Sequence, residues 1–355
     1  HRDLHSFPTR RSSDLVQLSL KYGNSIESSY IYSVYGLILA SALGDIENGY
    51  KFGELALKVA EKANSKQYLA RTLQVVNLTI KHRKEPAAIT LNAFVKAYQF
   101  ALESGDLEYY GNNVFFHYFY SFLLGKGLKN IREDSDKFIQ PLLNLHQIST
   151  GNYIISLNLL ISKLLNTEQK NQSGFNDLPF KIFTKGNDFI GLFHDYLWQS
   201  IENYLINEDY YEAESKIKEA SKYIAGPQGM ISIPVFYMYD SLIQLAILNH
   251  LEDSAKKNVI KKVETNQKVL KTWAKYAPMN FMNKYCLVEA EKYKILHQNQ
   301  KAESFYKKAI ELSKENGLEH EEGLSNELMG KFFIKTGDRS EERRVGKECR
   351  YRWSP

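Results

Sequence analysis

The chain contains little cysteine, no sustained apolar run and no recognisable catalytic motif, and each shortage excludes a class of protein. Only two of its 355 residues are cysteine, Cys286 and Cys349, and Cys349 lies in a terminal segment set aside below. A disulfide framework is therefore excluded. The least charged stretches, 28–44 and 112–125, are shorter than the roughly 20 apolar residues of a membrane span. We expect a cytoplasmic protein without a membrane span.

The two ends of the chain are set aside because they can be read from one stretch of DNA in opposite orientations. The N-terminal segment includes TRRSSDL, and the C-terminal segment includes RSEERRV. A back-translation of the first has a reverse complement that encodes the second. Residues 1–15 and 339–355 thus resemble translated sequencing adapter, and fusion scars of this kind are excluded from fold reasoning.

Charge gives no indication of nucleic-acid binding once the ends are removed. The whole chain has a formal charge of +5, but residues 16–338 contain 37 basic and 36 acidic residues. Near neutrality lacks the basic excess of nucleic-acid-binding domains. The lysines of 256–271 recur around a helix and are typical of a solvated face.

Signatures of catalysis and metal binding are also missing from the sequence. There is no P-loop, no dinucleotide-binding glycine motif and no H-E-x-x-H motif. No two histidines between residues 16 and 338 lie three to five positions apart, so no helical metal pair is encoded. Cys286 lies on an apolar helix face, as a buried structural thiol does. We expect a chain that is not an enzyme and binds no cofactor.

Periodicity of apolar residues predicts helices almost throughout. In 212–224 they recur at i, i+4, i+7 and i+11, and 302–317 repeats the scheme before Gly317. Turn signals between such segments favour short connections and antiparallel neighbours. We predict an all-α, tetratricopeptide-like array of antiparallel helix pairs, an α-solenoid of roughly 14–16 helices.

Two helix pairs in this array have the residues expected of such a repeat, in which bulky side chains pack on small ones. The alignment places aromatic residues next to alanines, and the predicted packing residues are Tyr204, Tyr210, Ala213, Ala220, Tyr293, Ala302, Tyr306 and Ala309. Two other units are degenerate, with Gly49 and Tyr110 in place of alanine. The polar stretch 167–185 is predicted to be a loop between an N-terminal subarray, 16–166, and a C-terminal subarray, 186–338.

The local density of aromatic residues is the unusual feature of this sequence. These residues are dense in 114–122, 233–242 and 276–285. One interpretation is that they fill the seams between helices. The other is a concave groove that binds a peptide or a small effector, with Tyr237, Asp240, Asn280 and Lys284 as polar anchors.

Four segments carry a family resemblance: 35–57, 101–128, 233–246 and 273–298, which begin YGLILASALGD, ALESGDLEYY, IPVFYMYDSL and WAKYAPMNFM. They resemble one region of very long bacterial signalling proteins, frequent in cyanobacteria. Those proteins join a serine/threonine-kinase domain, an AAA-type ATPase, a helical repeat segment, a GAF domain and a histidine kinase. The similarity covers essentially all of residues 16–338 and falls between the ATPase and GAF domains.

The resemblance implies a fragment of a cytoplasmic sensor kinase in a two-component system. Its helical segment would scaffold or regulate through contacts with other domains or with a signalling protein. ATP and Mg²⁺ would be bound by domains outside this segment. Two alternatives stay open: a stand-alone interaction protein or the repeat arm of an ATPase-type transcription regulator, and a helical domain that binds a small effector.

Overall fold

The structure is a computed structural model that describes residues 7–167, 177–248 and 251–336. Sixteen α-helices occur in these ranges: α1 (Phe7–Tyr22), α2 (Ser28–Leu37), α3 (Ile46–Ala63), α4 (Lys66–Thr79), α5 (Thr90–Glu103), α6 (Leu107–Leu123), α7 (Leu128–Asn144), α8 (Ile148–Leu164), α9 (Leu178–Gly186), α10 (Phe189–Leu205), α11 (Tyr210–Ser221), α12 (Ser232–Ile247), α13 (Asp253–Tyr276), α14 (Pro278–Ile295), α15 (Asn299–Glu315) and α16 (Glu319–Thr336). A π-helical turn, Ile38–Ala42, continues α2. Two 3₁₀ turns, Lys81–Arg83 and Ala87–Ile89, lie between α4 and α5.

Local sequence explains where many of these helices begin and end. Asp45, Asp188 and Asp209 cap helices α3, α10 and α11, each accepting a hydrogen bond from a backbone N–H three residues later. Gly105 and Gly317 follow helix ends with positive φ angles of 73° and 67°. Glycine adopts that conformation without a Cβ penalty.

Consecutive helices pack against one another along the chain, as in α2–α3, α10–α11 and α14–α15. The described residues contain no strand. The predicted all-α array of roughly 14–16 helices, an α-solenoid, is confirmed.

Residues predicted to pack the repeats lie at the α10–α11 and α14–α15 seams. Tyr204 and Tyr210 have ring centroids 5.7 Å apart. All four alanines are inaccessible to solvent: Ala213, Ala220, Ala302 and Ala309. Tyr293 stacks on Phe305 at 5.5 Å, while buried Tyr306 donates a hydrogen bond to Glu291. Small residues here let the helix backbones approach each other.

Glycine takes the small-residue role in the degenerate first unit. A Cβ built on Gly49 would lie 2.7 Å from the Cβ of Ala40 and 2.8 Å from the carbonyl oxygen of Gly36. Real Cβ contacts are not this short, so α3 crosses the end of α2 in a way that only glycine permits.

One large hydrophobic core extends from Ala70 to Phe333, on both sides of the predicted loop. A smaller cluster, which includes Val16, Tyr32 and Ile80, fills the N-terminal end. The predicted loop over 167–185 is too long at its C-terminal end, since α9 begins at Leu178. Proline close to the start of a helix is favourable, and Pro179 is that residue here.

None of the helices in the three described ranges combines the length and apolar character needed to cross a membrane.

Candidate effector cavity

The turn between α4 and α5 is held by the side chain of Asn280 on α14. The Asn280 amide nitrogen Nδ2 donates to the carbonyl oxygens of His82 and Glu85, both at 2.8 Å. Its Oδ1 accepts from the backbone N–H of Ala87 at 3.0 Å. The asparagine thus satisfies three backbone groups of a buried turn that would otherwise lack partners.

This anchoring places Arg83 in the interior, where it is only 8% exposed. Its Nε donates to the carbonyl oxygen of Thr79 at 3.1 Å, and Nη2 donates to Ser41 Oγ at 3.3 Å. The guanidinium lies 4.0 Å from the centroid of the Trp273 ring. Burial lowers the pKa of Arg83 to about 10, so the side chain is charged at neutral pH.

The neighbouring His82 forms the other half of the contact with α13. Its imidazole stacks on Trp273 with ring centroids 5.8 Å apart and planes inclined by 10°. Burial, followed by the repulsion of Arg83, lowers the pKa of His82 to about 3. A neutral imidazole and a charged guanidinium therefore lie side by side against one indole ring.

A cavity of about 420 Å³ opens beside Arg83, and we call it the Arg83 cavity. Five parts of the chain form its walls: the end of α2 with its turn into α3, the Lys81–Arg83 turn, the α11–α12 connection, α12 and α13. The lining residues are Ala40, Ser41, Gly44, Ile46, Arg83, Ile224, Ala225, Gln228, Gly229, Ile233, Tyr237, Val269, Thr272, Trp273 and Tyr276. Arg83 is the only charged residue among them.

Of the four predicted groove anchors, Tyr237 lines this cavity. Burial raises the pKa of its hydroxyl, with a further contribution from Asp240. Asp240 itself is buried. It accepts hydrogen bonds from Lys262 at 2.7 Å and from Asn266 at 2.8 Å. The carboxylate of Asp240 therefore ties α12 to α13 and does not face the cavity.

Asn280 and Lys284 also serve internal contacts. Asn280 holds the turn, as described above. Lys284 is 3% exposed and pairs with the equally buried Glu321 at 2.8 Å, while Asn283 donates a further hydrogen bond to Glu321. Burial alone would raise the pKa of Glu321, but Lys284 and His320 hold it below its usual value. The four predicted anchors do not form one groove.

A second cavity, of about 610 Å³, lies where the α6–α7 turn meets α10, α12 and the start of α16. His320 and Glu321 line it, and Gly125 approaches His320 so closely that a Cβ there would lie 2.4 Å from Nδ1. Its charged lining residues of both signs are Lys126, Lys314, Glu319, Glu321 and Glu322, and Glu321 is already paired with Lys284.

Sequence reasoning missed Arg83 and Trp273, the central residues of the first cavity. Arg83 belongs to the segment KHRKEP, which resembles a solvated turn because its first four residues are all basic or histidine. Pro86, which ends the segment, predicts a turn, but a proline does not indicate whether that turn is buried.

Comparisons with known proteins give no family assignment. The scan of the chain against protein-family models found no match, and the search of curated proteins found no significant similarity. Within the described residues, no cluster of three or more His, Cys, Asp or Glu side chains is arranged to hold a metal ion. Cys286 is buried, and burial raises the pKa of its thiol to about 11, which disfavours a nucleophilic thiolate.

Proposed function

We propose that the chain is a non-catalytic helical-repeat segment of a multidomain signalling protein. In this role it acts as a scaffold or regulatory element that contacts other domains of the same polypeptide or a signalling partner. The family resemblance of segments 35–57, 101–128, 233–246 and 273–298 suggests a cytoplasmic sensor kinase as the parent. The all-α array supports the scaffold role, because stacked helix pairs present extended binding surfaces.

The observation that carries the proposal is the exposed apolar surface of residues 16–22, the part of α1 outside the adapter-like segment. Val16 packs inward, and Ser19 Oγ lies 2.9 Å from Ser28 Oγ of α2. Leu18 and Tyr22, four residues apart on the other side, are 51% and 72% exposed. Neighbouring exposed apolar side chains of this kind mark a contact with another protein element.

The first test is to read the source gene outward from codons 20 and 335, across both adapter-like junctions. An ATPase domain upstream, with a GAF domain and a histidine kinase downstream, supports the proposal. A start codon just upstream and a stop codon after residue 338 would overturn the multidomain assignment and leave a stand-alone interaction protein.

The second test concerns the contact itself. The domain encoded upstream is expressed separately and its binding to this chain is measured by calorimetry. Replacement of Leu18 and Tyr22 by lysine should abolish binding, because a charged residue buried at an interface without a partner is costly. Leu102→Lys is the matched control, since Leu102 is also 51% exposed but lies on α5. Equal binding by both variants would refute α1 as the contact.

A further inference from the structure

Arg83 is a buried cation that has no anionic partner in the described part of the chain. Two of its five N–H donors are used by Thr79 and Ser41. Among the described residues, no carboxylate is paired with the guanidinium or contributes to the pKa of Arg83. A buried charge is normally paired, because its desolvation costs several kcal/mol. The protein therefore holds at the edge of a cavity a positive charge that is contacted by neutral acceptors and the Trp273 ring but not by a carboxylate of the described residues.

The rest of the cavity is suited to an apolar body rather than to a second charge. Trp273 and Tyr276 of α13 and Ile233 of α12 provide apolar surface. Ser41, Gln228 and Tyr237 contribute hydroxyl and amide groups to the cavity lining. A volume of about 420 Å³ lies within the range of small-molecule sites, about 300–1,000 Å³. Apolar walls with a few convergent polar groups are the usual composition of such sites.

We propose that the Arg83 cavity binds a small-molecule carboxylate with an apolar, aromatic-sized body. The carboxylate accepts hydrogen bonds from the guanidinium N–H groups left free by Thr79 and Ser41, and the body lies against Trp273 and Tyr276. Carboxylate geometry matches the planar guanidinium fork. A phosphate ester, which carries close to two negative charges at neutral pH, fits less well, because the cavity lining contains a single cation.

The position of the cavity gives such a ligand a means of regulation. Its walls come from the α2–α3 turn, the Arg83 turn, the α11–α12 connection and α13, so a bound ligand stabilises the arrangement of segments that are distant in sequence. Ligands shift a conformational equilibrium by their differential affinity for its states. This inference goes beyond the scaffold role and does not depend on it: failure to bind a carboxylate would leave the α1 contact untouched.

The experiment uses the full chain, with benzoate as the probe and benzamide as its neutral counterpart. A ligand selective for the native state raises the melting temperature in proportion to ln(1 + [L]/Kd). Benzoate and its larger relative indole-3-acetate should each raise the melting temperature with concentration, and calorimetry should give saturable binding. Benzamide should bind at least about tenfold more weakly, because it loses a charge-assisted hydrogen bond.

Two variants connect the binding to the cavity. Arg83→Gln should weaken benzoate binding by about tenfold or more. Since loss of Arg83 also removes structural contacts, Val269→Trp provides an independent test, because it fills the cavity and leaves Arg83 in place. Lys84→Gln is the matched control: it removes one positive charge from the next residue, whose partner is Glu47 on the surface, and should bind benzoate like the parent chain.

Each other outcome overturns the inference. If neither carboxylate shifts the melting temperature at concentrations up to about 10 mM, this ligand class is excluded. If Arg83→Gln or Val269→Trp binds benzoate as tightly as the parent chain does, the ligand does not bind in this cavity. An equal effect of inorganic phosphate would show a general anion effect rather than a carboxylate site.

Discussion

The side-chain amide of Asn280 donates a hydrogen bond of 2.8 Å to the carbonyl oxygen of His82, which lies 198 residues earlier in the chain. The same amide nitrogen also donates to the carbonyl oxygen of Glu85, and the amide oxygen accepts from the backbone N–H of Ala87. Asn280→Ala would leave three backbone groups without partners, two of them buried and one part-buried. We expect a loss of about 2–4 kcal/mol in the free energy of unfolding, measured by urea denaturation.

Asn316→Ala is the control for this substitution. Asn316 is exposed, and its side chain donates a hydrogen bond to the carbonyl oxygen of Leu312 in the last turn of α15. Exposed substitutions of this kind change stability by about 0.5 kcal/mol or less. If both variants lost the same stability, the contact between the α4–α5 turn and α14 would contribute nothing of its own.

Gly49→Ala tests the close crossing of α2 and α3. Alanine normally stabilises a helix interior relative to glycine by about 1 kcal/mol. Here its Cβ would meet backbone and Cβ atoms at less than 3 Å, so the helices must separate. We expect destabilisation of about 1–3 kcal/mol, the range for overpacked cores, in thermal unfolding.

Gly186→Ala is the matched glycine, at the end of α9. A Cβ built there meets no atom within 4 Å, and its φ angle is not positive. This substitution should be neutral or slightly stabilising. A stable Gly49→Ala protein would show that the crossing can relax.

Removal of one member of the buried Lys284–Glu321 pair should be severe. Lys284→Met leaves the Glu321 carboxylate buried without its cation, and such losses cost about 3–5 kcal/mol. The double variant with Glu321→Gln removes the charge as well and keeps an acceptor for Asn283, so it should recover part of the loss. Chemical denaturation of the three proteins checks this order; a double variant less stable than Lys284→Met would contradict it.

Two buried histidines should make stability depend on pH. Burial lowers the pKa of both His82 and His194 to about 3, from an ordinary value of 6.5. Between these values the unfolded chain binds more protons than the folded one. The stability that neutral histidine provides is therefore complete above pH 6.5 and falls as the pH decreases toward 3. Well below pH 6.5 each histidine contributes a slope of up to about 1.4 kcal/mol per pH unit.

His194→Gln isolates one of these contributions. His194 lies between the carbonyl oxygen of Ile190 at 2.9 Å and the hydroxyl of Ser232 at 3.0 Å, and glutamine retains hydrogen-bonding capacity without titrating. Its free energy of unfolding should fall less steeply than that of the parent chain between pH 6 and 5. That window lies above the titration of Glu321, whose pKa is below 4.5. Identical slopes would show that His194 is not the cause.

Much of the fold was predictable because the residue pattern within each helical segment determines the period and the buried face of that helix. The spacing of Ala213 and Ala220 indicates both the period and the buried face of α11, and Gly105 and Gly317 mark real helix ends. Residues 168–176 of the predicted loop lie outside the described residues. Helix α9 was missed because it is short and its first turns follow a run of polar residues.

The cavity was not predictable from the same signals. Its charge comes from Arg83 and its aromatic wall from Trp273. Arg83 belongs to no motif, and Trp273 begins the segment 273–298, whose family resemblance does not indicate a binding site. Their meeting depends on the side chain of Asn280, whose partners are backbone atoms and leave no pattern in the sequence. Tyr237 and Asp240 lie in the same dense aromatic segment. The density of aromatic residues does not indicate that Tyr237 lines the cavity while Asp240 binds Lys262.

The continuous core from Ala70 to Phe333 has a consequence for how the chain folds. In an open solenoid each repeat contacts only its neighbours, so folding can begin anywhere and spread. Here the α4–α5 turn needs α14, which is far along the chain, and loop closure must precede that contact. Folding should therefore be slower than for helical proteins with local contacts alone, and the N-terminal half should complete its packing only after α14 has formed.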